Sequence, residues 1–544
     1  MSTTPELFPI ARLHPLIDDP TVNCTFDDIL AMTDTEFESY VREMRSEFLR
    51  YWDSPENLPP RRGWSDEEIA KEFSKLAGFP VEKFWKTDTL TGRRVIHNTH
   101  VSTGSAVNAW HASNMYRVRI NYDIRDHGLS IYDFFAKPEL FERYLPYARR
   151  HFLRDSFYMF ATTVTGGTPL SHRPEIIPTT AVDFITEFAT HERGYQEQEL
   201  LLEAKLVSKG QQYTGYNDKM RTSPLMVLTH AEYHAAIEAG LLPDITRRNI
   251  LPKHDHDQYE FHVRLYTKGQ KLFPNLFRSF RISMCQYAHQ YPPLTAKLLY
   301  QEFLRHVDDP SVVVWDPSAG WAGRLVGALA YNRTLPNGTL QRLTYIGTDP
   351  NSAFYKEGTS VYREIGNNYI NARVVGSSLW ADEDSHKFRV HQCGSEDFDT
   401  LPDFDKFAGK GDLVFTSPPY FNRESYSEDP TQSYKRFSQY DQWRDGFLRK
   451  TLQNAYDWLN HDRYLLWNIA DLKIGKEYLP LEEDSKRIAE EIGFTYVETI
   501  AMALMNMPGA NRVDESGVPT AKNTVKFDND KVSKCEPIFV FRKP

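Results

Sequence analysis

The residues best suited to chemistry are Ser417-Pro418-Pro419-Tyr420, which follow the apolar residues 413–415 after a single threonine, Thr416. The length and content of this apolar run predict a buried parallel strand. Two consecutive prolines cannot donate ladder hydrogen bonds, so the strand must end there and continue as a stiff loop. Because ligands bind at the carboxyl ends of strands in open α/β sheets, we expect this loop to border a binding site.

The loop offers three groups: the Ser417 hydroxyl, backbone carbonyls of fixed direction and the aromatic face of Tyr420. These groups fit the methylation of a base's exocyclic amine, whose lone pair is delocalised into the ring. Ser417 Oγ and the Pro418 carbonyl would accept the amine hydrogens and favour a more tetrahedral nitrogen, while Tyr420 would stack on a base swung out of its helix. A single S-P-P-Y sequence is more often only a stiff turn, so this interpretation depends on the other motifs nearby.

A second loop, Asp316-Pro-Ser318-Ala-Gly320-Trp-Ala-Gly323, follows the strand predicted at residues 312–315 and opens a helix. Its glycines let the backbone approach a ligand closely, and the helix N-terminus favours an anionic group. The loop is neither a G-x-G-x-x-G fingerprint, since position 318 is Ser, nor a Walker loop, since no Gly-Lys-Ser/Thr follows. A carboxylate at Asp316 beside backbone N–H groups could hold an ammonium group. This combination suits the amino-acid end of S-adenosylmethionine better than a pyrophosphate.

Acidic residues also follow the next two predicted strands. Asp349 comes after residues 345–348, where a carboxylate can accept hydrogen bonds from two ribose hydroxyls. Ser395 and Glu396 come after residues 388–391 and would bracket an adenine. Each residue alone is a weak indication, but in succession before Ser417 they indicate one site. The predicted cofactor-binding residues are therefore Asp316, Ser318, Gly320, Gly323, Asp349, Ser395 and Glu396.

Regular alternation of strands and helices positions these motifs in the C-terminal half. The pattern predicts an α/β fold with a doubly wound, mostly parallel, seven-stranded sheet whose last strand is antiparallel. The strands are predicted at residues 312–315, 345–348, 388–391, 412–416, 464–469, 496–502 and 537–541, and the helices at about residues 323–330, 353–365, 439–459 and 481–492.

The sequence pattern of residues 1–284 predicts a mixed, mainly helical region. Helices are expected at about residues 34–51 and 65–77, the second opened by a capping box at Ser65, whereas residues 116–120 are strand-like. Further helices are predicted within residues 130–165 and at 229–239, with Thr229 as N-cap. The 544 residues suffice for two or three domains, and we divide the chain into residues 1–284 and 285–544.

Residues 290–544 resemble the DNA amino-methyltransferases, which have the Rossmann-like S-adenosylmethionine-dependent methyltransferase fold. In that family a D-P-x-x-G-x-G loop binds the cofactor, and the loop from Asp316 to Gly323 has one extra spacing residue. The resemblance implies that Asp349 is the ribose ligand and that Ser417–Tyr420 is the catalytic [D/N/S]-P-P-[Y/F] motif. Residues 291–297 are similar to the segment that closes over the methionine, and residues 467–471 and 536–541 resemble later strands.

Double-stranded DNA is the partner that the resemblance implies. The net charge is −10, so the field of the whole protein opposes a polyanion, and binding must depend on a local basic face. The basic residues between Arg247 and Arg281 provide such a face. The catalytic half leaves only the loops after Tyr420 and Met507 free, so we expect residues 1–284 to contribute most of the DNA recognition.

Other features exclude several classes of protein. No apolar run approaches 18 residues and the N-terminus has no signal pattern, so we expect a cytoplasmic protein without a membrane partner. The four cysteines form no CxxC pair, and the polar stretch from His254 to Asp257 matches no ligand spacing, so no metal site is predicted.

The choice of target stays open at this point. Methylation at C5 of cytosine is set aside, because it requires a thiolate, usually in a Pro-Cys pair, and no cysteine here follows a proline. Ser417 in the first motif position favours N4 of cytosine over N6 of adenine. A methyltransferase of RNA or of other amino groups, and a non-catalytic nucleic-acid-binding protein with the same fold, are the alternatives. A cognate restriction nuclease is a second candidate partner.

Overall fold

A computed structural model describes residues 15–17, 24, 28, 31–54, 57–60, 63–120, 128–143, 145, 200–208, 226–228, 230–238, 259–267, 288–376, 386–474, 477–504, 522–528 and 532–544. Several sequence predictions lie outside these residues. They are most of the basic stretch 247–281, the polar stretch 254–257, the segment 146–165 and the N-cap Thr229. Within the described part of the chain, no helix is long and apolar enough to span a membrane.

The strands, in chain order, form one large sheet and several small ones. Their bounds are β1 Trp85–Thr87, β2 Arg94–Ile96, β3 Arg119–Ile120, β4 Leu200–Ser208, β5 Met226–Leu228, β6 Tyr259–Thr267, β7 Ser311–Asp316, β8 Arg342–Thr348, β9 Tyr355–Lys356, β10 Thr359–Ser360, β11 His386–His391, β12 Gly411–Thr416, β13 Glu424–Ser425, β14 Leu459–Asn468, β15 Leu472–Ile474, β16 Glu477–Leu479, β17 Thr495–Ala503, β18 Thr524–Lys526 and β19 Val532–Arg542.

The α-helices span Asp34–Trp52, Asp66–Gly78, Asn108–Arg117, Ile131–Ala136, His230–Glu238, Pro293–Phe303, Gly323–Leu329, Val361–Gly376, Pro402–Phe407, Ser433–Arg436, Tyr440–Trp443, Arg449–Trp458 and Leu481–Ile492. A π-helical turn, Arg444–Leu448, joins two of them. Short 3₁₀ turns lie at Pro15–Ile17, Glu82–Phe84, Ser105–Val107, Ser352–Phe354 and Ser395–Thr400. Ser65 caps its helix in the predicted reciprocal box, since its side chain accepts from the Glu68 N–H and its own N–H donates to Glu68.

The large sheet has the predicted doubly wound order. Strands β11, β8, β7, β12 and β14 lie side by side and are parallel. Strand β19 runs antiparallel between β14 and β17, as predicted for the last strand. The spatial order β11-β8-β7-β12-β14-β19-β17 is that of a Rossmann-like methyltransferase sheet, so the predicted fold class is confirmed.

Helices cover both faces of the sheet because its central strands are buried on both sides. In β12, Leu413 and Phe415 belong to one core, which includes side chains of helices Pro293–Phe303 and Gly323–Leu329. Val414 points to the opposite core, which includes side chains of helix Arg449–Trp458. The continuous apolar run predicted at residues 413–415 therefore packs against a hydrophobic core on each face of the sheet.

Residues 63–120 pack directly against the sheet. Strand β2 pairs in parallel with β17, and β1 pairs antiparallel with β2, so the sheet continues beyond its seven predicted strands. Phe73 of helix Asp66–Gly78 meets Tyr369 edge to face, with ring centroids 5.0 Å apart. The two predicted regions thus share one core. The division at residue 284 stays a prediction.

Two local predictions are only partly right. Of the strand predicted at residues 116–120, β3 contains Arg119–Ile120, whereas helix Asn108–Arg117 contains residues 116–117, because burial of Trp110, Met115 and Tyr116 within this helix outweighs β-propensity. The helix predicted at residues 353–365 begins only at Val361. Before it, strands β9 and β10 form a hairpin that turns at Gly358, whose φ of +78° favours glycine.

Candidate active site

A cavity of about 980 Å³ lies at the carboxyl edge of the parallel strands. The loops after β7, β8, β11 and β12 form one side of it, and residues 60–120 form much of the other. This volume is at the upper end of the range for sites of small organic ligands, ~300–1,000 Å³. Ten predicted site residues line it, namely Ser318, Gly320, Gly323, Asp349, Ser395, Glu396, Ser417, Pro418, Pro419 and Tyr420.

Asp316 is the predicted site residue that does not line the cavity. Its buried carboxylate accepts hydrogen bonds from Arg324 Nε (2.8 Å) and from the Tyr345 hydroxyl (2.6 Å). Arg324 also donates to the Ser318 carbonyl. The sequence prediction that Asp316 holds an ammonium group therefore needs correction. The Asp316 carboxylate instead pairs with the buried Arg324 guanidinium, which requires a charged partner. Through Arg324 it holds the Ser318 carbonyl and therefore the loop in position.

The two glycines of the loop serve different purposes. Gly320 has a φ of +53°, a left-handed conformation that glycine adopts without strain. At Gly323, a Cβ atom would lie 2.1 Å from the Tyr291 carbonyl oxygen. Gly323 is thus required for close packing against the segment that precedes helix Pro293–Phe303. The extra spacing residue of the loop is accommodated by Ala322, which has a φ of +62°.

Asp349 connects the loops after β7 and β8. Its Oδ2 accepts from the Gly320 N–H (2.9 Å) and its Oδ1 from the Asn351 N–H (2.9 Å). Burial raises the pKa of this carboxyl to about 6, against the effect of the two backbone N–H groups. The nearby Tyr362 hydroxyl, which donates to the Gly320 carbonyl (2.7 Å), also lowers the pKa of Asp349. A carboxylate has about four lone-pair sites, so Asp349 can still accept hydroxyl hydrogens from a ligand in the cavity.

Glu396 presents an unsatisfied oxygen. Its Oε1 accepts from Arg436 (2.7 Å), whereas the buried Oε2 has no hydrogen-bond partner. Burial raises the pKa of this carboxyl. The neighbouring Ser395 hydroxyl is hydrogen-bonded to the Thr451 hydroxyl (2.8 Å), and the Asn454 amide donates to the Ser395 carbonyl (2.9 Å). A buried oxygen without a partner costs free energy, so Glu396 Oε2 is suited to accept from a ligand.

Ser417-Pro418-Pro419-Tyr420 leaves β12 as the irregular segment that its prolines predict. The next residue, Phe421, has a φ of +50°, which is strained for a bulky side chain. Its buried ring is held edge-on by Tyr440 (5.8 Å) and Trp443 (5.7 Å). Packing therefore fixes the direction in which the chain leaves Tyr420.

The loop after Tyr420 is anchored by the N-terminal region. Strand β13 pairs antiparallel with β3, which places Glu424 opposite Ile120. Trp64, Asn98 and Asn108 line the cavity on the same side, and Asn108 Oδ1 is buried without a partner. Sequence reasoning missed all of these residues, because nothing local in residues 60–120 signals a contact with residues 421–426.

Two more carboxyl groups line the cavity beside Tyr420, and neither was predicted. Glu424 accepts from the Tyr426 hydroxyl, and Glu536 lies in β19, two residues before Ile538, where the pairing of β19 with β14 begins. A glutamate at the start of the apolar residues 537–541 was the available signal for Glu536. The described acidic side chains of the wall (Asp349, Glu396, Glu424 and Glu536) outnumber the basic ones (Arg324 and Arg423). Such a wall favours a cationic ligand over a phosphate.

Comparison with known proteins finds a family model that matches part of the chain. Residues 411–544 match the N6/N4 DNA methylase family. No curated protein matches the chain. Among solved structures, TTHA0409 of Thermus thermophilus, a candidate DNA modification methylase, shares 19% identity over 28% of this chain and 51% of its own, with a TM-score of 0.18. The match thus spans about half the length of that protein.

Two further structures match more of the chain at lower identity. TrmN from Thermus thermophilus has 12% identity over 57% of this chain and 65% of its own, with a TM-score of 0.25. A precorrin-6y C5,15-methyltransferase from Geobacter metallireducens has 15% identity over 45% and 87%, with a TM-score of 0.22. Similarity at this level says nothing about substrate. The resemblance inferred from Ser417–Tyr420 and the strands after it is confirmed by the DNA methylase family over residues 411–544.

Proposed function

We propose that this protein is a DNA methyltransferase that transfers the methyl group of S-adenosylmethionine to the exocyclic amine of a flipped base. One observation carries the proposal: the glycine loop after β7 and the Ser417–Tyr420 loop after β12 line a single cavity. Direct transfer requires that a methyl donor and its acceptor meet, and these two loops supply a place for each. The family match over residues 411–544 supports DNA as the substrate.

The acidic wall and the unsatisfied oxygens fit S-adenosylmethionine, which supplies a methyl group on a cationic sulfonium. Asp349 would accept from the ribose hydroxyls, and Glu396 Oε2 with Ser395 would hold the adenine. Ser318, Gly320 and Gly323 would border the amino-acid end. Asp316 would act indirectly, by holding Arg324 and the Ser318 carbonyl in place.

The residues after β12 would prepare the amine. Ser417 Oγ and the Pro418 carbonyl accept amine hydrogens and so raise the nucleophilicity of the nitrogen. Pro419 and the packed Phe421 ring hold the loop still, so little reorganisation is needed during the reaction. Tyr420 stacks on the base, which contributes roughly 1–3 kcal/mol. No covalent enzyme intermediate would be required, because the amine nitrogen would displace the methyl group from the sulfonium, with cleavage of the sulfur–methyl bond and release of one amine proton.

We favour N4 of cytosine over N6 of adenine because Ser417 occupies the first position of the motif. Site-specific recognition is assigned to residues 1–284 together with the loops after Tyr420 and Met507. The anchoring of β13 by β3 supports this assignment, because it connects the N-terminal region to the base-binding loop. We also keep the predictions of a cytoplasmic location and of a cognate restriction nuclease as proposals.

The test is transfer of tritiated methyl groups from S-adenosylmethionine to DNA, RNA and protein in parallel. We expect label in DNA, and its loss in Ser417→Ala. Pro418→Ala should reduce turnover with little change in cofactor affinity, because it loosens the loop and leaves Asp349 in place. Label in RNA or protein alone would replace DNA by that substrate. No transfer to any of the three would favour a non-catalytic binding protein.

A further inference from the structure

Glu536 lines the part of the cavity that borders Tyr420, the residue on which the proposed function stacks the base. Strand β19 runs antiparallel to β14, so its beginning lies at the same edge as the carboxyl ends of the parallel strands. Asn468, the last residue of β14, is opposite Ile538, and Met502 of β17 is opposite Glu536. Glu536 lines the cavity together with the Ser417–Tyr420 loop. It is therefore on the base side of the cavity rather than on the glycine-loop side.

The surroundings of Glu536 contain acids and hydroxyls. The titratable groups that interact with it electrostatically are the Glu424 carboxyl, the Tyr420 and Tyr291 hydroxyls and the Cys535 thiol. The Asn468 side chain, whose amide donates to the Pro537 carbonyl (3.0 Å), opposes the rise in the pKa of Glu536. Among the described residues, no Lys or Arg forms a salt bridge with Glu536. Burial and the neighbouring Glu424 raise the pKa of Glu536 to about 7.

Two carboxyl groups in one aromatic cavity cannot both ionise at low cost, so one of them retains a proton near neutral pH. Burial raises the pKa of Glu424 as well, but Glu424 accepts a hydrogen bond from the Tyr426 hydroxyl, which opposes this rise and favours the ionised form of Glu424 over that of Glu536. A neutral Glu536 then offers one donor and one acceptor side by side. Cytosine and adenine share a matching edge, in which an unprotonated ring nitrogen lies next to the exocyclic amine.

We propose that Glu536 is a base-contacting residue, whose protonated carboxyl donates to the ring nitrogen of the target base and accepts one hydrogen of the amine to be methylated. Since the amine has two hydrogens, the other one is then shared between Ser417 Oγ and the Pro418 carbonyl. An ionised carboxylate could not do this, because it has no donor and would face the ring-nitrogen lone pair. The inference rests on the proposed function and specifies how the same cavity holds its base.

The experiment compares Glu536→Gln with Glu536→Leu by kcat/KM for DNA at saturating S-adenosylmethionine, from pH 5.5 to 9. The wild-type value should fall by about tenfold per pH unit above pH 7, as the carboxyl ionises. Glu536→Gln carries a donor and an acceptor at every pH. Its kcat/KM should therefore stay within a few-fold of the wild-type maximum and should not decrease above pH 7. Glu536→Leu should reduce kcat/KM by about 10- to 100-fold, since two hydrogen bonds are lost.

Two controls separate base contact from a structural effect. Glu498→Gln on the neighbouring strand β17, whose side chain pairs with Arg94, should keep the wild-type pH profile. Cofactor affinity, measured by calorimetry, should be equal in all four proteins. If Glu536→Leu does not fold, the pH profile of Glu536→Gln decides alone.

The inference is overturned if Glu536→Gln retains the alkaline fall, if it is as impaired as Glu536→Leu, or if a folded Glu536→Leu is as active as the wild type. These outcomes leave the proposed function standing, because the wild type still methylates DNA. Absence of wild-type transfer to DNA would instead overturn both.

Discussion

Tyr420 contributes its ring face to the proposed reaction, whereas its hydroxyl interacts with the Ser417 hydroxyl and, electrostatically, with Glu536 and Glu424. Tyr420→Phe should therefore keep most of the methyl transfer, because the stacking surface is unchanged. Tyr420→Ala should lose about 10- to 100-fold in kcat/KM, from the stacking energy alone. Steady-state kinetics with DNA check both variants. A Tyr420→Phe variant as impaired as Tyr420→Ala would show that the hydroxyl takes part in the reaction.

Asp349 is expected to determine cofactor affinity. Asp349→Ala removes a carboxylate that would accept two ribose hydroxyls, at a cost of about 2–4 kcal/mol in binding. Wild-type affinity should also fall as the pH drops below about 6, because the pKa of Asp349 is raised and the protonated form accepts poorly. Calorimetry between pH 4.5 and 8 measures both effects, with Asp441→Ala, an exposed surface change, as the control. Unchanged affinity in folded Asp349→Ala would remove this assignment.

Sequence reasoning reached the residues whose type and position at a strand end carry the signal. Ser417, Asp349 and Glu396 all line the cavity, as the motif order predicts. The partner of the Asp316 carboxylate could not be predicted from the sequence, because a carboxylate at a strand end can face either a ligand or a buried arginine. That choice depends on Arg324, eight residues later, and on Tyr345 in the next strand.

At the level of elements, the glycine loop depends on close packing against the segment before helix Pro293–Phe303. Gly323→Ala would place its Cβ against the Tyr291 carbonyl, which cannot yield without moving the backbone. We expect the free energy of unfolding to fall by about 1–3 kcal/mol. Denaturant titration checks this, with Gly78→Ala as the control, because no atom lies within 4 Å of a Cβ there. Equal stability of the two variants would contradict this packing argument.

Element boundaries were predictable wherever the hydrophobic periodicity ends at residues that break or cap an element. The prolines after Thr416 and the capping box at Ser65 mark such places, and both boundaries are confirmed. The helix predicted from residue 353 failed because its apolar pattern continues through a hairpin. The left-handed Gly358 was the local signal of that turn.

For the whole molecule, the described residues between 31 and 120 share a hydrophobic core with the large sheet. Lys297 shows this most directly: its buried ammonium donates to the carbonyls of Leu76 (3.2 Å), Ala77 (2.6 Å) and Phe79 (3.1 Å). These carbonyls belong to the end of helix Asp66–Gly78 and its C-cap, where a cation is favoured. The pairing of β2 with β17 joins residues about 400 apart, and no local pattern predicts such a contact.

A fragment of residues 285–544 should therefore not fold by itself. It would leave Lys297 without these acceptors and expose Tyr369, which packs on Phe73. Circular dichroism and thermal unfolding of the fragment, beside the full chain, measure this. A fragment that unfolds cooperatively and methylates the same sites would show that residues 1–284 serve neither the core nor recognition.

The central claim is tested most directly by mass spectrometry of nucleosides from the DNA of cells that express the chain. We expect N4-methylcytosine, absent from cells that express Ser417→Ala. N6-methyladenine would correct the preference drawn from Ser417 and leave the mechanism intact. DNA without either modified nucleoside, from cells that contain folded wild-type protein, would contradict the claim that this cavity methylates exocyclic amines of DNA.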